Sequence, residues 1–440
     1  MRKYILTICL FVIGMMALHA QDRFPDGTVV PEWFKNDNPT DIGSLGKQFV
    51  ITEHGVKNDS TVVQTRNIQA VIDEAHINGG GVVVVPPGVY LSGSLFFKQG
   101  THLHLQEGAV LKGSDDISDF EVLDTRIEGE TVKYFAALVN ADGLDGFTIS
   151  GNGTINGNGF RYWRAFWLRR EWNPQCTNKD EQRPRLLFIS NSKNVQVSGV
   201  NLINSPFWTS HYYKCENLKI IGIRILAGTG NGSETRAPSS DGIDLDVCQN
   251  VLVRDSYIAV NDDGVCLKGG KGPIADQDPD NGANRNIIIE NMTFDRCPAL
   301  TLGSESVHSY NVLMRNCKVI NASFVLRLKM RPDTPQKHEH ILIENVTGSV
   351  RQFFAISPWT QFFDLKGHPQ PKSSASHITL RNCDVRAEQM LNIQKSDNYS
   401  LSSITLQNLT VSTPKIGTFN LDFIKELKLS DITVNGKKVI

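Results

Sequence analysis

From about residue 143 to the carboxyl end, apolar and polar residues alternate in short runs that keep restarting on one phrase. It reads Gly146-Phe147-Thr148-Ile149, then Asn194-Val195-Gln196-Val197, and it recurs from Asn217, Asn250, Asn286, Asn311, His340, His377, Ser403 and Glu426. Alternation of this kind predicts strands with one buried face. From Asn194 onward the starts lie between 23 and 37 residues apart, so the short intervals fit one solenoid coil and the long ones carry loops inserted at a corner. A second strand lines up in each coil, at 242–246, 264–268, 299–303 and 325–329. With three or so short strands per coil and almost no helical pattern after residue 80, the chain is expected to be all-β, a right-handed parallel β-helix. A sandwich would lack the repeat, and propeller blades repeat at about 40 residues or more.

Ahead of the repeats, Ile68, Val71, Ile72 and Ala75 recur at helical spacing within 65–76, and Gly79-Gly80-Gly81 closes that segment. Short strands at 82–86, 90–95 and 101–105 follow, so the helix suits a cap over the open end of the solenoid. Residues 21–47, rich in Pro, Asp, Asn and Gly, read as an irregular lead-in to a single β-helix domain over 48–440. At the amino terminus, Arg2 and Lys3 precede an apolar run and Ala17-Leu18-His19-Ala20. This predicts a secretory signal peptide over 1–20 and delivery to the periplasm or outside the cell. The run is too short to span a bilayer, and no second stretch suits one, so no membrane partner is expected after cleavage.

Net charge is −1, with 45 basic and 46 acidic residues, which leaves no overall field to gather nucleic acid. Of eight cysteines, Cys9 leaves with the signal. The remaining odd number, without a C-x-x-C pair, argues against a zinc site or a disulfide framework and for buried apolar roles. No metal or cofactor is expected, and the solenoid is expected to be a monomer. Eight Asn-x-Ser/Thr triplets between Asn58 and Asn408 read as turn chemistry of the coils.

Candidate chemistry concentrates in 239–268. Gly242-Ile243-Asp244-Leu245-Asp246 and Gly264-Val265-Cys266-Leu267-Lys268 are matching units 22 residues apart, the first preceded by Asp241 and the second by Asp262-Asp263. On adjacent coils Asp241 and Asp263 would occupy one level, with backbones about 5 Å apart. Three carboxylates so crowded repel, and one should hold a proton at neutral pH, as acid/base hydrolysis requires. An insertion at 269–285 leaves from the same coil and would wall the site.

Four ordered motifs then carry a resemblance: Ser239-Ser240-Asp241-Gly242, Asn261-Asp262-Asp263-Gly264, Leu302-Gly303-Ser304-Glu305 and Arg327-Leu328-Lys329. They resemble the signature of glycoside hydrolase family 28, the polygalacturonases, over roughly residues 45–440. The resemblance implies a right-handed β-helix that hydrolyses galacturonic-acid linkages of pectin with inversion. Asp262 would be the general acid, and Asp241 with Asp263 would hold and deprotonate the attacking water, the acid and base standing about 6.5–9.5 Å apart. Arg327 and Lys329, on one outward face two coils beyond the aspartates, would grip a uronate carboxylate beside the leaving sugar. Glu305 and Lys268 complete the implied substrate-binding set, and Arg331 could extend the basic patch, with plain surface charge the equal alternative for Lys268 and Arg331. The partner implied is a pectic poly- or oligosaccharide.

Two departures mark a divergent subgroup, acting on rhamnogalacturonan or on chain ends. The family's histidine in a Gly-His-Gly element falls here on Cys297 or Pro298, and its Asn-Thr-Asp reads Ser239-Ser240-Asp241. His308 and His211 could stand in spatially, although lone histidines are more often packed or at the surface. Tyr162, Trp163, Trp167, Trp172, Phe207, Trp208, Trp359 and Phe362-Phe363 offer rings on which sugars stack, or core packing. The rival readings are a calcium-dependent, pectate-lyase-like eliminase using the same aspartates, and a β-helix that binds carbohydrate without turnover.

Overall fold

The computed structural model describes residues 22–36, 38–228, 235–416 and 421–440; the candidate signal peptide at 1–20 lies outside them. Among these, short strands stack on one another in parallel, coil upon coil, in the manner the repeat predicts. The protein is a right-handed parallel β-helix whose inward residues form one apolar core running its length.

The repeated phrase has a backbone cause. Asn194, Asn217, Asn250, Asn286 and Asn311 all have φ between 51° and 58°, and His340, His377, Ser403 and Glu426 occupy the same left-handed bend. Asparagine tolerates that region better than other side chains with a Cβ. Its amide then bonds along the stack: Asn217 Nδ2 donates to Asn194 Oδ1 at 3.1 Å, Asn250 to Asn217 at 3.1 Å and Asn286 to Asn250 at 3.0 Å. Of the glycosylation-like triplets, Asn291, Asn321, Asn345 and Asn408 likewise sit at positive φ, where they serve as turn residues.

Helix α1, Thr65–Ile77, caps the amino-terminal end and buries Ile68, Val71, Ile72 and Ala75, as the spacing predicts. The lead-in is more than a tether. Phe24, Val30 and Phe34 pack on Leu252, Ile288 and Leu313, outward apolar residues of three coils, and Asp22 pairs with Arg315 at 2.8 Å.

One expectation fails. A second helix, α2, spans Phe160–Trp172, where no helical pattern was read. Its buried side chains Tyr162, Trp163 and Phe166 are aromatic, a composition that favours strands by propensity, and tertiary packing overrides that preference. The helix is an insertion between the strands Thr154–Asn156 and Leu187–Ser190, and it stands beside the site. An antiparallel hairpin, Val122–Ile127 with Glu130–Phe135, is a further insertion, turned by Glu128 (φ 51°) and Gly129 (φ 80°). All seven described cysteines are free and buried.

Candidate active site

Strands Ile243–Asp246 and Val265–Lys268 pair with Ile243 opposite Val265. Asp241 and Asp263, each two residues earlier, therefore share one level, and the Gly242 amide donates to the Asp263 carbonyl at 2.8 Å. The glycine after each aspartate is required by this close approach. A Cβ on Gly242 would meet the Gly264 carbonyl oxygen at 2.7 Å, and one on Gly264 the Pro298 oxygen at 2.6 Å.

Asp241, Asp262 and Asp263 each place a carboxylate oxygen within 4.8 Å of the others. That is tighter than the roughly 6.5–9.5 Å the resemblance implies, so the spacing does not by itself select inversion over retention, and the product's anomeric configuration decides between them. A fourth acid joins them. Asp244 forms a second group with Asp241 and Cys266, fully buried, its oxygens without a hydrogen-bond partner and the Lys268 ammonium 3.5 Å away. Sequence reading had Asp244 within the repeated unit but gave it no role. The signal was its phase: it alternates with inward Ile243 and Leu245 and so faces the way Lys268 does.

Two lysines counter these acids. Lys329 Nζ donates to Asp263 Oδ2 at 2.6 Å, and the Thr301 hydroxyl donates to Oδ1 at 2.7 Å. Lys268 Nζ donates to Asp241 Oδ2 at 3.3 Å and stands 3.5 Å from Glu305. Lys268 is 4% exposed, so the alternative of plain surface charge is wrong for it. It is wrong for Arg331 too, which is buried and bonded to both Asp333 oxygens at 2.7 and 2.6 Å, and which adds structure rather than a free cation. Arg327 shares a face with Lys329, its guanidinium 4.8 Å from the Trp359 ring and 4.5 Å from Phe324. The pair is less open than expected, since Lys329 is engaged with Asp263.

These partners separate the acids. Burial, then the charges of Asp241 and Asp263, push the half-buried Asp262 up to about 7. Burial opposes ionisation of Asp263 as well, but Lys329 and Lys268 hold it below the usual carboxylate range. Asp241 is driven well up by burial and by Asp244, and burial raises Asp244 to about 7. Glu305 is held down at about 2 by Lys268 and the Ser304 hydroxyl, which outweigh its burial. Asp262, raised toward neutrality and partly exposed, beside Asp263, held low by two lysines, pairs a proton donor with a proton acceptor. Both acid groups carry the donors of a cation site, and Lys268 and Lys329 already supply positive charge to Asp241, Asp244 and Asp263.

Of the candidate stand-in histidines, His211 sits opposite Asp244 on the adjoining coil but is packed away from the clustered carboxylates, and His308 is engaged with another acid. His211 is fully buried between Arg185 and Asp246, its pKa lowered to about 4 mainly by burial, and His308 pairs with Glu339 at 3.0 Å. Cys297 points into the core. Of the aromatics, Tyr162, Trp163, Phe207 and Trp208 are packed, Trp172 is exposed, and Trp167 and Phe362 line a cavity of about 180 Å3 beside Asp262. A larger cavity of about 400 Å3 lies on coils nearer the amino end, among Phe97, Arg126, Phe188 and Tyr213, and contains none of the clustered acids.

Residues 83–351 match the family described as glycosyl hydrolases, family 28. A probable polygalacturonase of Vitis vinifera is 31% identical over 229 residues, 50% of this chain and 44% of that one. An endo-polygalacturonase of Pectobacterium parmentieri is 26% identical over 255 residues, 55% and 58% of the two chains. The chain thus spans about half the length of the curated relatives it matches. The fold matches that of an exopolygalacturonase from Thermotoga maritima with a TM-score of 0.78 at 22% identity, over 92% of this chain and 95% of that one.

Proposed function

The chain belongs to glycosyl hydrolases family 28, and on that premise we propose that it hydrolyses galacturonic-acid-containing pectic poly- or oligosaccharides by single displacement. The observation that carries this reading is the meeting of Asp241, Asp262 and Asp263 within 4.8 Å, with Lys329 and Thr301 bonded to Asp263 at 2.6 and 2.7 Å, an asymmetry that pushes Asp262 upward and Asp263 downward. Asp262 gives its proton to the glycosidic oxygen as the bond to the anomeric carbon breaks. Asp263, with Asp241 beside it, takes a proton from the water whose oxygen bonds to that carbon. Asp263 is the better placed of the two to act as base, because it is held ionised by Lys329 while burial and Asp244 keep a proton on Asp241. Arg327, stacked between Phe324 and Trp359, offers a guanidinium to the uronate of the departing sugar.

Export through the 1–20 signal belongs to the same proposal; sequencing the secreted protein should find Gln21 first. The catalytic test is digestion of homogalacturonan and rhamnogalacturonan oligomers in chelator, with the anomeric configuration read by proton NMR. Saturated, inverted products that vanish in Asp262→Asn support the reading. A retained configuration would assign a covalent intermediate to one of the clustered aspartates, and unsaturated ends lost in chelator would make the enzyme an eliminase.

A further inference from the structure

Beside Asp262 the substrate face is closed over. The cavity of about 180 Å3 there, bounded by Glu128, Trp167, Arg236, Asp262, Glu305 and Phe362, is smaller than the roughly 300–1,000 Å3 typical of sites for drug-sized ligands. It has room for about one sugar. Its roof is the tip of the 122–135 hairpin, tied down on several sides. Glu130 pairs with Lys179 at 2.5 Å and with Lys366 at 2.7 Å, joining insertions that leave the barrel many coils apart. Gly129 abuts the 269–282 insertion so closely that an added Cβ would meet the Lys271 amide nitrogen at 2.8 Å. Arg126, at the base of the same tip, bonds Asp246 at 3.1 Å and Asn281 of that insertion at 2.7 Å. Arg331 holds the Gln361 and Phe362 carbonyls at 2.9 and 3.2 Å, which fixes the Phe362 wall.

We propose that the enzyme is a chain-end hydrolase, taking a single non-reducing terminal uronic acid into this blind pocket; the proposal rests on the hydrolase reading above. The polarity follows from the site. Arg327, Lys329 and Trp359 are not among the residues lining the cavity, so the cations assigned to the departing sugar lie outside it and the pocket holds the glycon. Inside, Arg236 and Arg170 flank the Trp167 ring at 4.9 and 6.0 Å, placing two guanidinium groups where the terminal carboxylate would be read. Each turnover breaks one glycosidic C–O bond with one water and releases one monosaccharide.

The test uses the full enzyme on long homogalacturonan and on oligomers of four to eight units tagged at the reducing end, sampled early by anion-exchange chromatography. Free monomer should be the sole small product, with the tag retained on a chain one unit shorter. Early oligomers of mixed length, or a tagged monomer, would overturn chain-end action while leaving the hydrolase reading intact. No cleavage of any pectic substrate would instead sink the hydrolase reading itself. Glu130→Lys, which repels both lysines of the latch, should let oligomers rise to a tenth or more of the early product. An unaltered product pattern in that variant would overturn the assignment of the block to the latch.

Discussion

Lys329 Nζ stands 2.6 Å from Asp263 Oδ2, with side chains 9% and 1% exposed, and this contact between residues on coils two apart keeps one carboxylate ionised inside an acidic cluster. Breaking a buried pair by removing one partner costs about 3–5 kcal/mol, because the other charge is left uncompensated. Lys329→Met should therefore lower stability and raise the Asp263 pKa. Since the base must be ionised, the acid limb of the kcat/KM profile should move to higher pH, with activity at the optimum down roughly 100-fold. An unshifted acid limb would show that Asp263 is not the base.

The opposite limb belongs to Asp262. A general acid works only while protonated, so activity should fall as pH rises through about 7, the value to which burial and its neighbours push this group. Because Asp263 is held below the usual carboxylate range, activity should persist into moderately acid solution. Asp262→Asn should cost about 100- to 10,000-fold in kcat and abolish the alkaline limb. A pH–rate series on both proteins reads this directly.

Asp244 makes a prediction about stability. Its folded pKa, raised by burial from the ordinary 3.8 to about 7, means that the folded state holds a proton the unfolded chain has lost between those values. The stability linked to that proton is present at low pH and is lost as pH rises through about 7. Asparagine mimics the protonated form. Asp244→Asn should match the wild type in Tm near pH 4 and exceed it by about 2 °C or more at pH 8, in paired thermal melts.

Arg126 and Asp246 form a buried pair between the hairpin and the sheet, side chains 2% and 1% exposed. Arg126→Met should lower stability by about 3–5 kcal/mol, read in denaturant titration. It should also make the 122–135 hairpin the first site of limited proteolysis, whereas Arg126→Lys should restore part of the loss.

Much of this architecture is legible in one dimension. The recurring Asn-apolar phrase marks a left-handed bend that few side chains tolerate, and alternation after it marks which residues point inward, so coil number, register and the Asp241–Asp263 level can all be read by counting. Helix α2 could not be read this way, because its buried aromatics satisfy strand propensity as well as helical spacing. Asp244 was hidden by its ordinary place in a strand. In the sequence Lys268 and Arg331 read equally well as surface charge because nothing local to them reveals burial; their partners Asp241, Asp244, Glu305 and Asp333 become visible only when coils and loops close around them.

By itself, then, the sequence determined the β-helix, its capping helix and the aspartates that meet across two coils, since these follow from local backbone preference and a fixed repeat. Tertiary structure alone decided which carboxyl keeps its proton and whether the substrate face ends in a groove or a pocket. Both depend on charges and insertions far apart in the chain, such as Lys329 against Asp263 and Glu130 between Lys179 and Lys366. Electrostatic free energy varies with distance and burial in three dimensions, which no spacing along the chain encodes.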